Sequence, residues 1–451
     1  FQSDKNLTHI IDLGDLESKF KVFGWHVERC DGHDFTALER VFSKLKGITD
    51  KPKVLIADTI KGKGISFMES PATLPDKNFL YKWHAGAPDD DAFEAGYREL
   101  YESINKRLQD AGLKVLLSDV IETREKNRIK LKDTAEKVVA AYGQALVELG
   151  SDRKDLVVMD ADLSADCGLR LFENAFPQRF IESGIAEQDM VSAAGGLALQ
   201  GMLPVVNSFG VFLASRANEQ IYNNATEKTK IIYVCHYAGL IPAGPGKSHQ
   251  SVRDISLFGA LPNVISVEPA NAIETKEALN WCVNEATQSC MMRLAISPSP
   301  RTIPLPDDYH FVYGKGTVVI DGQDAVLIAY GPVMLNEAMV AAEILQEQNF
   351  SLKVINFPWL NRIDKDWFKE NVANYGTVFV LDNHSQFGGL GDQVLNVAQE
   401  LDGFRNKRYV KFGLNEFPAC GTPPEVLAHH KLDAKSLAAA ILKTTRETGN
   451  N

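Results

Sequence analysis

Short apolar runs bounded by polar stretches recur along most of this chain and divide it into segments of different character. From Phe1 to about Gly112, strands such as Lys53 to Ile60 alternate with charged helical stretches and loops. Next, Thr123-Arg-Glu-Lys-Asn-Arg-Ile-Lys-Leu-Lys132 is charge-rich with little apolar content; it reads as an exposed linker, although a solvated helix face would look the same. The residues immediately C-terminal to it favour the linker. Asp133-x-x-Glu136 has the form of a helix N-terminal cap, and Val138, Val139, Tyr142, Leu146 and Leu149 recur at helical spacing before Gly150. A new domain is therefore expected near Asp133.

Beyond it, strand candidates alternate with helical segments: Leu156 to Met159, Pro204 to Phe209, Ile231 to His236, Val264 to Val267 and Met291 to Ile296. This alternation predicts a doubly wound, mostly parallel α/β sheet, with chemistry at the carboxyl ends of its strands. The Pro-rich stretch Ser297-Pro-Ser-Pro-Arg-Thr-Ile-Pro-Leu-Pro306 breaks the pattern and predicts a boundary. Ala325 to Ala329, Lys353 to Phe357, Val378 to Leu381 and Tyr409 to Phe412 then repeat it. Two complete α/β domains preceded by an incomplete one are the expectation.

Composition narrows the class. At 451 residues, and about 150 residues per domain, roughly three domains are expected. The apolar share of 45% and charged share of 24% are those of a globular protein. A net charge of −11 argues against nucleic acid and anionic membranes as partners. Apolar runs such as Ala325 to Tyr330 are far shorter than the ~18 residues of a membrane span. Six cysteines without a C-x-x-C pair suggest neither zinc nor a dithiol site; a soluble, cytoplasmic protein is expected. The chain opens at Phe1 rather than at methionine, and an N-terminal portion beyond it is expected.

The strongest chemical signal is Ser183-Gly-Ile-Ala-Glu-Gln-Asp-Met190, followed by the small-residue helix Val191-Ser-Ala-Ala-Gly-Gly-Leu-Ala198. A carboxylate at a strand-to-helix junction beside closely packing Gly and Ala residues is well placed to be held dry and oriented. Glu187 could equally do no more than charge the helix start, where the macrodipole favours an acid.

Three separate motifs carry a resemblance. Gly184-Ile-Ala-Glu-Gln188, Pro204-Val-Val-Asn-Ser-Phe-Gly-Val-Phe-Leu213, and Gly244-Pro-Gly-Lys-Ser-His-Gln250 with Val252-Arg-Asp-Ile255 resemble, in order and spacing, the pyrimidine-binding domain of the transketolase family. Phe23-Gly-Trp25, Asp31-Gly-His-Asp34, Thr59-Ile-Lys-Gly-Lys-Gly64 and Trp83-His-Ala-Gly-Ala-Pro88 are similar to the end of its diphosphate-binding domain. Val378-Phe-Val-Leu-Asp-Asn-His-Ser-Gln-Phe-Gly-Gly-Leu-Gly391 and Gly421-Thr-Pro resemble its C-terminal domain.

The resemblance implies consecutive α/β domains of the thiamine diphosphate-binding type. Residues 1–118 would be the C-terminal part of the diphosphate-binding domain, 119–132 a linker, 133–305 the pyrimidine-binding domain and 306–451 the C-terminal domain. It implies thiamine diphosphate and Mg²⁺ as cofactors, sugar substrates, and a homodimer. Glu187 sits where the family's glutamate hydrogen-bonds a ring nitrogen of the aminopyrimidine. Phe212 matches the aromatic that stacks on the pyrimidine and Phe209 the one beside it, though both could simply pack a strand end. Asp162-Leu163 resembles a further cofactor-contacting pair. His84, His236 and His249 match histidines of the substrate channel, where imidazoles move protons near neutral pH. Arg301 is a candidate for a substrate phosphate.

Some positions depart from the family. Pro245 stands where an aspartate would bond a sugar hydroxyl, and Ser215 where a third aromatic is expected. The Gly-Asp-Gly and later Asn that hold Mg²⁺ have no counterpart, since Gly14-Asp15 is followed by leucine. The metal ligands are therefore expected in an N-terminal segment or partner chain. Two-carbon ketol transfer is the activity the resemblance implies. The alternatives are a decarboxylating condensation like that of deoxyxylulose phosphate synthase, or a non-catalytic transketolase-like subunit that needs an N-terminal partner.

Overall fold

The computed structural model describes residues 1–69, 80–84, 87–116 and 137–449. The expected linker and the Asp133-x-x-Glu136 cap lie outside the described residues. The chain forms two compact units, 1–128 and 129–451.

In the first unit, β1 (His26–Asp31) pairs in parallel with β2 (Lys53–Asp58). The motif Asp31-Gly-His-Asp34 is used locally. Asp34 caps the helix Phe35–Lys46 through the amides of Thr36 and Ala37, and His33 Nε2 accepts from the Ile60 amide at 2.7 Å. Asp15 likewise caps the helix Leu16–Val22, accepting from Ser18 N and Oγ, so Gly14-Asp15 is a helix start. Two strands cover little apolar surface: Val22, Phe23 and Phe35 are 85%, 80% and 87% exposed.

The second unit holds two sheets. The first contains β3 (Leu156–Asp160), β4 (Phe180–Glu182), β5 (Leu203–Phe209), β6 (Ile232–His236), β7 (Val264–Val267) and β8 (Ser289–Leu294), all parallel, in the order β4-β3-β5-β6-β8-β7. β3, β5, β6, β7 and β8 are buried throughout, which explains their continuous apolar runs. The helix Val138–Asp152 packs Val138, Tyr142, Ala145 and Leu146 into the core beside them. Its N-cap is Lys137, without a side-chain cap bond. The second sheet contains β9 (Thr317–Ile320), β10 (Ala325–Ala329), β11 (Leu352–Asn356), β12 (Thr377–Ser385) and β13 (Arg408–Leu414), in the order β13-β12-β10-β11-β9 with β9 antiparallel.

Both sheets belong to one compact unit, and a buried polar seam joins them. Arg293 of β8 has no exposed surface; it donates to Asp254 Oδ2 (3.0 Å), to Glu268 Oε2, and to the carbonyls of Ser251 (3.0 Å) and Asn383 (3.1 Å), the last in β12. Asn383 Oδ1 accepts from the Leu240 amide at 2.9 Å. Two glycines make room for this seam. A Cβ on Gly239, at φ +80°, would fall 2.0 Å from the Asn383 amide, and one on Gly331, at φ +67°, 2.1 Å from Glu268 Oε1. Among the described residues no helix is long and apolar enough to cross a membrane.

Candidate active site

β3 and β5 are neighbours, but the next strands flank them on opposite sides, β4 beside β3 and β6 beside β5. The crevice outside the carboxyl ends of such a pair is where doubly wound sheets bind ligands. Most of the second unit's candidate residues follow from this topology: Asp162 and Leu163 come after β3, Glu187 after β4, Phe209 and Phe212 at and after β5, and His236 at the end of β6.

Glu187 opens the helix Glu187–Leu199 and is 3% exposed. A helix start favours an acid in any case; the distinctive feature is the burial. Its Oε1 accepts from Arg216 Nη1 at 2.7 Å and from Ser208 Oγ, in β5, at 3.4 Å. Next to Ser208, Phe209 ends β5 and precedes the helix Gly210–Arg216, which carries Phe212 and Arg216 one turn apart. The Phe209 and Phe212 rings lie 5.6 Å apart between centroids. The His249 ring lies 5.9 Å from Phe209 and 5.3 Å from Phe212, and Tyr237 stands 5.1 Å from Phe209. One aromatic cluster therefore flanks the buried carboxylate.

Tyr237, at φ +58°, is a buried residue whose hydroxyl has no hydrogen-bond partner among the described residues, and burial pushes its pKa up to about 12. A neutral, unmatched hydroxyl beside two phenyl rings suits a polar ligand that stacks there. Burial, and then the charge of Arg216, lower the pKa of His249, so its imidazole is neutral at physiological pH and can accept a proton. Its Nδ1 lies 2.9 Å from Ser248 Oγ.

The strand ends hold the adjoining loops. Asp160 Oδ2 accepts from the Leu163 amide (3.0 Å) and Ser164 Oγ (2.6 Å). Glu182 Oε1 accepts from the amides of Asp162 (2.9 Å) and Gly184 (3.1 Å), with Asp162 at φ +59°. Ser215 Oγ accepts from Arg253 Nη2 at 3.0 Å.

Two of the histidine and arginine candidates are engaged elsewhere, and a third lies in the other unit. His236 has no exposed surface and bonds Asn207 inside the sheet. Arg301 makes a two-pronged ion pair with Glu343, at 2.6 and 3.3 Å. His84 belongs to the first unit, where its Nδ1 accepts from Lys61 Nζ at 2.8 Å; Lys61 also donates to the carbonyls of Gln2 and Ser3. Sequence reasoning missed Arg216, Tyr237, Asp160 and Glu182. Arg216 carried a usable signal, the i, i+4 spacing from Phe212. The acids were hidden because their partners are backbone amides and, for Asp160, a serine hydroxyl.

Among the described residues, one group of three potential metal ligands lies together: Glu416, His429 and His430. His430 Nε2 accepts from the Ala419 amide at 3.0 Å, which leaves the proton on Nδ1, the atom facing Glu416. This group does not fit Mg²⁺, which takes oxygen ligands.

Comparison with known proteins identifies the family. Residues 136–295 match the family model for the transketolase pyrimidine binding domain, and residues 314–437 that for the transketolase C-terminal domain. A Methanocaldococcus jannaschii protein assigned as a transketolase C-terminal section is 32% identical over 321 residues, which cover 71% of this chain and 99% of that protein. The solved structure of a split-gene transketolase, an inactive β4 tetramer, superposes with a TM-score of 0.61 at 32% identity, over 69% of this chain and 98% of that one. The chain belongs to the transketolase family. It is also 27% identical to a 1-deoxy-D-xylulose-5-phosphate synthase of Clostridium botulinum, over 92% of this chain but only 59% of that enzyme's length.

Proposed function

We propose that this chain provides the pyrimidine-binding half of a thiamine diphosphate-dependent active site, in an enzyme that transfers a two-carbon ketol unit between sugars or sugar phosphates. The observation that carries this reading is the buried Glu187 carboxylate beside the Phe209–Phe212 pair, at the switch point of the sheet. These residues fit an aminopyrimidine. Glu187 offers an acceptor to a protonated ring nitrogen, Phe212 a stacking face, and the unmatched Tyr237 hydroxyl a further polar contact. When bound, the cofactor supplies the carbanion chemistry that breaks and forms the carbon–carbon bond. This chain's residues bind and orient it. Glu187 holds the ring nitrogen in the protonation state the reaction needs, the aromatic cluster excludes water, and Asp160 and Glu182 fix the loops bearing Leu163 and Gly184. Neutral His249, at the edge of the cluster, moves a proton on the substrate, and His84 is assigned the same work.

Residues 133–305 and 306–451 are read as the pyrimidine-binding and C-terminal domains, and residues 1–118 as the later part of the diphosphate-binding domain. The split-gene relative supports an arrangement in which a separate N-terminal chain supplies the Mg²⁺ ligands and a homodimer or larger oligomer forms. A decarboxylating condensation is the second reading. It is favoured by the identity to the synthase and by Pro245, which stands where a sugar-bonding aspartate would be expected.

The enzyme assembled with its N-terminal portion, thiamine diphosphate and Mg²⁺ should transfer two carbons from a ketose phosphate to an aldose phosphate without releasing carbon dioxide from pyruvate. Release from pyruvate establishes the second reading, and neither reaction with cofactor bound overturns both. Glu187→Gln should lower turnover by orders of magnitude with a modest loss of cofactor affinity, because stacking and diphosphate contacts survive it.

A further inference from the structure

Arg216 engages the two groups assigned to the aminopyrimidine. It ends the helix Gly210–Arg216, four residues beyond Phe212, so both side chains leave the same face. Its guanidinium carbon lies 4.0 Å from the Phe212 ring centroid, and its Nη1 donates to Glu187 Oε1 at 2.7 Å. A guanidinium is planar, stacks on aromatic faces and presents N–H groups to carboxylates. Those are the contacts expected of an aminopyrimidine that stacks on Phe212 and is bonded to Glu187. A group that reaches both must come between them, where the guanidinium lies. Glu187 is buried, whereas the Arg216 side chain is 43% exposed, so the arginine closes the carboxylate from the solvent side and has room to swing away.

We propose that Arg216 is a built-in placeholder for the pyrimidine ring. It stacks on Phe212 and pairs with Glu187 until the cofactor displaces it, so that cofactor binding and the Arg216–Glu187 contact exclude each other. The proposal rests on the reading of Glu187 and Phe212 as the pyrimidine site. It makes Arg216 a determinant of cofactor affinity that works by competition, opposite in sign to an ordinary binding residue. Displacement gives up one partly exposed charge pair, an interaction of modest size, so a ring able to stack and hydrogen-bond can replace it.

The test uses thiamine itself, which lacks the diphosphate and so probes only contacts made by this chain. Calorimetric titration of the full chain should show Arg216→Met binding thiamine about three- to tenfold more tightly than the unaltered protein. Glu187→Gln should weaken binding, and adding Arg216→Met to it should give little further gain, because the competitor has lost its anchor. Thiamine should also raise the reactivity of Arg216 toward phenylglyoxal, mapped by mass spectrometry, as the guanidinium moves into solvent. Circular dichroism checks that the variants are folded. Weaker or unchanged binding by Arg216→Met, or protection of Arg216 by thiamine, overturns the placeholder. If Glu187→Gln nevertheless weakens binding, the pyrimidine-site reading stands without it. If neither substitution changes thiamine binding, that reading falls as well.

Discussion

His236 Nε2 lies 3.2 Å from Asn207 Oδ1, the same oxygen that accepts the Tyr142 hydroxyl at 2.6 Å. The Asn207 amide nitrogen donates to the carbonyls of Met159 and Val205, so its oxygen is fixed toward the histidine, and Nε2 carries the proton. Burial lowers the imidazole pKa to about 3. The geometry makes His236 a strut between β5 and β6 rather than a group open to substrate. Its ring should stay neutral down to about pH 4 by NMR titration. His236→Ala should cost about 2–4 kcal/mol of stability, combining a cavity with the loss of a buried bond, measured by urea unfolding. A loss of substrate affinity at unchanged stability would return His236 to the substrate channel.

His249 shares the lowered pKa but not the setting. It is half-buried, its ring faces the Phe209–Phe212 cluster, and among the described residues its imidazole is bonded to the neighbouring Ser248 hydroxyl. His249→Ala in the assembled enzyme should lower turnover about a hundredfold or more while leaving thiamine diphosphate affinity nearly unchanged. His84→Ala should behave likewise, with added loosening of Lys61. Equal losses of cofactor binding and activity would assign both imidazoles a structural role.

The strands that alternation predicts lie within a few residues of those observed, and Val264–Val267 and Ala325–Ala329 coincide with them. Most of these strands are buried on both faces, where an unbroken apolar run is enforced; β2 and β13 are only partly buried and were found from their apolar residues alone. The missed strands β1, β4 and β9 are each only partly buried, so no such run marks them. The placement of Glu187 and Phe212 after strand ends was legible in their motifs. What a side chain meets in space was not. The Glu343 carboxylate against Arg301 and the Asn207 amide against His236 are contacts that no motif announces. The Asp382-Asn-His384 run is a third case: the Asp382 carboxylate accepts from the Leu390 and Gly391 amides, and Asn383 bonds across the seam, so this motif builds structure.

That seam should make stability depend on pH. Glu268 is fully buried with Arg293, and desolvation raises its pKa from 4.5 to about 7 against the attraction of Arg293. The folded state therefore holds a proton that the unfolded state releases. Stability should fall as pH rises from about 4.5 through about 7 and be level above that, with a contribution on the order of 3 kcal/mol. Glu268→Gln keeps the side-chain shape without the titration. It should flatten this slope and exceed the unaltered protein in stability at pH 8. Parallel urea-unfolding profiles for the two proteins between pH 5 and 8 would show that Glu268 does not titrate in this range.

The diphosphate end of the cofactor presents a different problem from the pyrimidine end. Its negative charge needs a divalent cation, and Mg²⁺ prefers a nearly octahedral set of oxygen ligands. Among the described residues, the grouped candidates are Glu416, His429 and His430, two of them imidazoles and one with its Nε2 already accepting from a backbone amide. The net charge of −11 offers no general attraction for an anion. The proposed pyrimidine site alone would contribute stacking and a few hydrogen bonds, which support weak binding at most. The 451-residue polypeptide by itself should therefore bind thiamine diphosphate weakly, gain little from added Mg²⁺, and lack ketol transfer. Addition of an N-terminal partner chain bearing Gly-Asp-Gly and the later asparagine should restore both affinity and activity. Calorimetry with and without Mg²⁺ and the partner decides it. Tight, Mg²⁺-dependent binding by this polypeptide alone would mean that its own residues, in a grouping other than Glu416, His429 and His430, hold the metal.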